Sequence, residues 1–158
     1  ETLMTTGALL VIAVGASLLT RFLSLSGAGD YLASMVIGGD ASTVTILIAI
    51  VLIYLLLGMF LEPIGAMLLT LPIVLPIIGA ADLSLLWFGI ILTKLLEIGM
   101  ITPPIGMNVF VIKGVVGDLA STTSIFKGIF WFLVMDLFVL LFLMTVPEFI
   151  LFLPNLFG

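Results

Sequence analysis

Long apolar segments fill half of this sequence: residues 3–25, 43–60, 85–101 and 125–146 hold little else, and the first and last are long enough to cross a bilayer. A helix spans the hydrocarbon of a membrane with roughly 20 such residues. No water reaches the backbone there, so every N–H and C=O must find its partner inside the protein, and continuous runs achieve this as helices. Only 8% of the side chains are charged, against about 25% in a soluble domain whose surface must stay wet. The expectation is an all-α integral membrane protein, embedded in lipid and crossing it more than once.

Absent residues narrow the function. With no Cys and no His, thiolate clusters, haem and imidazole zinc ligation, and the Ser-His and Cys-His nucleophile pairs are all removed. No other nucleophile–base pair is legible, so neither an enzyme nor a cofactor is expected. The net charge of −5 and the four scattered Lys and Arg argue against nucleic acid, which needs a clustered basic surface. Four cations are also too few to set an orientation by the positive-inside rule. No basic segment precedes the first apolar run, so no signal peptide is read. The sequence opens like the C-terminal part of a longer chain.

Prolines organise the middle of the chain, and five of the seven lie from Pro63 to Pro104. Residues 1–42 read as a first membrane helix and an interfacial connection, with Arg21 snorkelling to the interface and residues 31–37 as a short amphipathic helix. Residues 43–79 read as a re-entrant hairpin with Glu62-Pro63 at its tip, because the run 66–78, carrying Pro72 and Pro76, is too short to span. Residues 85–117 read as a membrane helix broken at Thr102-Pro103-Pro104-Ile105-Gly106-Met107-Asn108, since Pro removes a donor and clashes with the preceding turn. Residues 125–158 read as a last membrane helix and a tail along the membrane surface. A hairpin paired with a discontinuous helix is the architecture of secondary-transporter binding sites.

In a regular helix the N–H of residue i bonds the carbonyl of residue i−4. Pro103 and Pro104 would thus release the carbonyls of Gly99 and Met100, and Pro63 that of Met59. Released carbonyls at helix C-termini suit a small hard cation, while the restarting helix at 106–109 offers N–H groups that suit a carboxylate. Met59, Gly99, Met100 and Thr102 are therefore cation-site candidates, and Pro103, Pro104, Gly106 and Asn108 substrate-site candidates. Glu62 joins the cation set as an acid at the tip that is costly in a membrane unless paired, or is a loop carboxylate in water if both arms span. Gly58 joins it only through the resemblance described next. Glu97 is held in reserve, three residues from Lys94 and able to pair with it on one helix face. Asp136 stands alone in the last span, where an acid is a functional hypothesis by default; contact with a missing helix would explain it equally well. Thr70 is placed to bond a released carbonyl. Gly27-Ala28-Gly29-Asp30 matches the pattern of intramembrane aspartyl proteases, but falls in a polar connection and is set aside.

Leu57-Gly58-Met59-Phe60-Leu61-Glu62-Pro63, Leu71-Pro72-Ile73-Val74-Leu75-Pro76, Trp87-Phe88-Gly89-Ile90-Ile91 and the string from Glu97 through Thr102-Pro103-Pro104-Ile105-Gly106-Met107-Asn108 to Phe110 resemble the large, DctM-like membrane subunit of TRAP (tripartite ATP-independent periplasmic) transporters. Val146-Pro147-Glu148 and Phe152-Leu153-Pro154 resemble that family's C-terminus. The resemblance is sharpest over residues 58–113. It implies an ion-transporter-type fold of two inverted repeats, each with a hairpin and a broken helix, of which this chain would be the second. It also implies sodium as the coupling ion, an elevator-type mechanism and uptake of an organic acid. The implied partners are an extracytoplasmic substrate-binding protein, a small membrane subunit and the remaining repeat, in the cytoplasmic (inner) membrane of a bacterium or archaeon. One departure is Glu62, where the family commonly has Asp. Two other readings stay open: a related cation-coupled anion transporter that works without a binding protein, and a non-transporting subunit of a membrane complex.

Overall fold

The structure, a computed structural model, describes residues 2–28, 31, 34 and 42–157. Its elements are α1 (Thr2–Ser26), α2 (Thr43–Phe60), α3 (Pro63–Ala80), α4 (Leu85–Ile101), α5 (Met107–Val116), a 3₁₀ turn (Gly117–Leu119), α6 (Thr122–Thr145) and α7 (Pro147–Phe157). Among the described residues α2, α3 and α6 are long and apolar enough to cross a membrane, as expected of an all-α membrane chain. Of the expected short helix at 31–37, Tyr31 and Ser34 are described and both are helical; its other residues and the second half of the Gly27–Asp30 motif lie outside the described residues.

Helix α3 corrects the expectation of a segment too short to span. Pro72 and Pro76 sit inside it without ending it, and it has 18 residues, as many as α2. At 1.5 Å per residue each is about 27 Å long, close to the roughly 30 Å of bilayer hydrocarbon. Proline is tolerated inside membrane helices because neighbouring groups re-satisfy the backbone. Shortness therefore does not distinguish a re-entrant pair from two crossings. Thr70 Oγ1 donates to the Ala66 carbonyl at 2.7 Å, four residues back, whereas the carbonyls that lose a helical donor to Pro72 and Pro76 are those of Leu68 and Pro72.

The described chain forms two compact units. In the first, α1 packs against α3. Small residues of α1 (Ala13, Ala16, Ser17) and Leu68, Leu71, Pro72 and Leu75 of α3 line a shallow apolar groove between them.

The second unit takes α2 from residue 50 and everything from residue 86 onward. Its centre is α4, which buries Trp87, Phe88, Ile91, Leu92, Leu95, Leu96, Ile98 and Gly99. A helix apolar around most of its circumference belongs inside a bundle. Tyr54 of α2 meets Phe88 edge-on, with ring centroids 6.4 Å apart. Proline chemistry explains a second contact: Pro147 has no N–H to return to the Leu143 carbonyl, and the indole Nε1–H of Trp87 donates to that carbonyl at 3.0 Å.

Helix α6 starts at Thr122, earlier than its apolar run suggests, because the Ser121 side chain accepts from Ser124 N–H as an N-cap. Before it, the Lys113 ammonium donates to the carbonyls of Gly117 and Ala120, which closes the C-terminal end of α5. The tail is helical too, with Pro147 at its first position, where a missing N–H does no harm. The outer face of α6 exposes Phe130, Phe132, Met135 and Phe138, and Trp131 is 72% exposed. Hydrocarbon covers such a face at no desolvation cost, whereas water would not.

Candidate functional site

Two helix ends meet backbone to backbone. Gly58 lies two residues before the end of α2 and Gly99 two before the end of α4. A Cβ on Gly99 would stand 2.6 Å from the Cα and C of Gly58, and one on Gly58 would stand 3.1 Å from the Gly99 Cα. Glycine is required here by close approach. Gly99 is expected to matter for its carbonyl and Gly58 as part of the hairpin tip; the first role of both is the absence of a side chain.

The crossing brings together two C-terminal ends, each with carbonyls that lack helical donors and carry partial negative charge. Pro63 denies an N–H to Met59, and Pro104 denies one to Met100. Both methionines are half-buried, while Glu62, between α2 and α3, is exposed.

Gly99 departs from expectation. Its carbonyl accepts the Thr102 N–H at 3.0 Å, because the chain past Ile101 tightens into an i→i+3 bond. Thr102 Oγ1 donates to the Ile98 carbonyl at 2.5 Å. Thr102 thus closes two carbonyls, and with its proton committed its oxygen lone pairs are free to accept. Among the described residues no three or more Asp or Glu lie together as a metal-binding group, so a cation held here would rest on carbonyl and hydroxyl oxygens.

Past the break, Pro103 and Pro104 are exposed, and the peptide bond between them is cis. Gly106 is buried, with φ 58 and ψ 68, and serves as the N-cap of α5 with no side-chain cap bond. The left-handed conformation favours glycine. A Cβ there would also press on the Phe126 ring, at 3.0 Å. Of the N–H groups expected to be unpaired, that of Val109 is used, donating to the Gly106 carbonyl at 2.7 Å. Met107 and Asn108 supply the remaining donors of the first turn, and Asn108 is exposed.

The acids held in reserve form a separate cluster. Lys94 Nζ lies 3.1 Å from Glu97 and 2.7 Å from Asp136 Oδ1. The Lys94–Glu97 pair follows the three-residue spacing. Asp136 does not stand alone: its partner is on another helix of the same unit, and no sequence spacing announces it. Phe126 was also missed, because no spacing in the sequence places it beside Gly106. The Trp87 bond was findable, since Pro147 leaves the Leu143 carbonyl in need of a donor.

The chain is similar to known proteins of one kind. Residues 1–149 match the model of the family described as tripartite ATP-independent periplasmic transporter, DctM component. The sialic acid TRAP transporter permease protein SiaT of Haemophilus influenzae is 39% identical over 116 residues, which is 73% of this chain and 18% of that protein. The C4-dicarboxylate TRAP transporter large permease protein DctM of Vibrio cholerae is 32% identical over 84% of this chain and 29% of its own length. The sialic acid TRAP transporter large permease protein SiaM of Vibrio cholerae is 32% identical over 99% of this chain. This chain spans 36% of SiaM, so it corresponds to about a third of such a permease. The chain is a multi-pass membrane protein and belongs to the DctM family, the large permease component of TRAP transporters.

Proposed function

We propose that this chain supplies one half of a sodium-and-carboxylate site in a secondary active transporter that takes up an organic acid. The contact of Gly58 with Gly99 carries the reading, because it joins two helix C-termini whose carbonyls suit a hard cation. Met59, Met100 and Thr102 would supply oxygens, and Glu62 would add its charge at the junction. The first turn of α5, at Gly106 and Asn108 beyond Pro103 and Pro104, would face the carboxylate. Relatives named for sialic acid and for C4-dicarboxylates both handle carboxylates, which supports that substrate class.

In this reading residues 43–79 are a re-entrant hairpin and the other half of the site belongs to a further repeat. An extracytoplasmic binding protein delivers the solute, a small membrane subunit braces the permease in the cytoplasmic membrane, and the site crosses by an elevator movement. A ligand shifts a conformational equilibrium only by differential affinity, so sodium must favour the substrate-ready arrangement.

The test is thermal unfolding of the intact permease in detergent, in sodium against potassium at equal ionic strength. A ligand of the folded state adds about 2.7 kcal/mol at a hundredfold excess over its dissociation constant. Sodium alone should raise the melting temperature, and Glu62→Gln or Asn108→Ala should reduce that rise. Identical melts in the two salts would remove sodium coupling. Uptake that proceeds equally without an added binding protein would remove the tripartite arrangement.

A further inference from the structure

Helix α6 touches the broken helix at three places along its length. Trp87 bonds the Leu143 carbonyl, Lys94 pairs with Asp136, and Gly106 lies under Phe126. Trp87 to Lys94 is seven residues along α4, and Leu143 to Asp136 is seven back along α6. From Lys94 to Gly106 is twelve residues, against ten from Asp136 to Phe126; the non-helical segment between α4 and α5 takes up the difference. Helix α6 therefore runs antiparallel beside α4, passes the break, and packs on α5.

The backbone does not hold the two pieces in line. Outside the helices, hydrogen bonds on the α4 side end with Thr102 N–H to Gly99, and on the α5 side they begin at the Gly106 carbonyl. Pro103 and Pro104 are exposed and Gly106 lacks a side-chain cap. The aromatic ring of Phe126 lies against Gly106 at the start of α5.

We infer that α6 is a splint across the helix break, in which the Lys94–Asp136 pair sets its register and Phe126, delivered by that register, positions Gly106 and the first turn of α5. Lys94, Asp136 and Phe126 are positioning residues in this scheme; none is asked to touch an ion or a solute. Lys94 has two partners with different duties. Glu97 is on its own helix and links nothing, whereas Asp136 ties one helix to another and allows little axial sliding at 2.7 Å. The assignment rests on the sodium-and-carboxylate reading only for its consequence, that loosening the splint weakens binding at the break.

The test uses the intact permease with other cysteines removed and spin labels at Leu86 on α4 and Val115 on α5, which are 49% and 85% exposed. Pulsed electron resonance then reads the distance across the break. The parent should give one narrow distribution. Asp136→Asn and Phe126→Ala should broaden or shift it, with Phe126→Leu as a milder variant if alanine prevents folding. The charge swap Lys94→Asp with Asp136→Lys should restore the narrow distribution. In the same proteins the sodium concentration for half-maximal thermal stabilisation should rise about tenfold in the single variants, within the range of coupling by residues that contact no ligand. It should return toward the parent value in the swap.

Unchanged distances in folded Asp136→Asn and Phe126→Ala would overturn the splint. A swap with native distances and no recovery of sodium affinity would also overturn it, since the pair would then act through its charge. Variants that broaden as expected, in a parent that ignores sodium, would uphold the splint and remove the sodium reading instead.

Discussion

Gly99→Ala should destabilise the permease by about 3 kcal/mol, the upper part of the usual range for overpacking a well-packed contact, and should abolish most of its sodium response. The added methyl would stand 2.6 Å from two backbone atoms of Gly58, whereas carbon atoms are at ease at about 3.5–4.0 Å. No rotamer relieves the clash, because the atoms met belong to main chain. The helices must separate by about 1 Å, and the C-terminal carbonyls at the crossing separate with them. Gly58→Ala meets Gly99 at 3.1 Å and should show the same two effects at smaller size. Thermal melts of both variants in sodium and potassium would measure this. A Gly99→Ala protein with parental stability would mean that the helices do not cross this closely.

Asp136→Ala should cost about 2–3 kcal/mol, somewhat less than the roughly 3–5 kcal/mol lost when one partner of a fully buried ion pair is removed. The discount reflects side-chain exposures of 23% for Lys94 and 28% for Asp136, and the partner Lys94 keeps in Glu97. Lys94→Met combined with Asp136→Leu should recover most of the loss, since an apolar pair of similar volume removes the charges that needed each other. Melting temperatures of the parent, Lys94→Met, Asp136→Leu and the double variant close the cycle. Additive single effects would show that the two side chains do not depend on one another.

The positions of the breaks were legible because they are written in backbone chemistry. Pro103-Pro104 cannot continue a helix, and α4 stops at Ile101 and resumes at Met107; Glu62-Pro63 marks the joint between α2 and α3. Identical chemistry misled at Pro72 and Pro76, where α3 continues through both. A missing N–H permits a break but does not compel one; crowding of proline, glycine and polar residues at one spot distinguishes the break from the kink.

The candidate site was half legible for a related reason. Met59 and Met100 follow from proline positions alone, but the bonds Thr102 makes to Ile98 and Gly99 depend on how the chain turns after α4. Gly58 beside Gly99, Lys94 beside Asp136 and Gly106 beneath Phe126 are meetings between distant stretches. Such meetings are set by packing, and a single sequence holds the participants without the pairing.

The link between Lys94 and Asp136 also bears on how the protein is made. An acid near the middle of a helix raises the free energy of insertion by about 2.5–3.5 kcal/mol, and Asp136 sits in the stretch 128–144 of α6, which is apolar apart from it. Synthesis runs from α4 to α6, so Lys94 is already in place when Asp136 emerges. The expected order is that α6 leaves the insertion machinery against α4 and does not first drift alone in lipid. Glycosylation mapping of α6 expressed singly and after α4 would detect this as more complete insertion in the longer chain, and equal insertion would count against it. An ion pair that fixes a register in the finished permease would then have served earlier as a meeting point during its assembly.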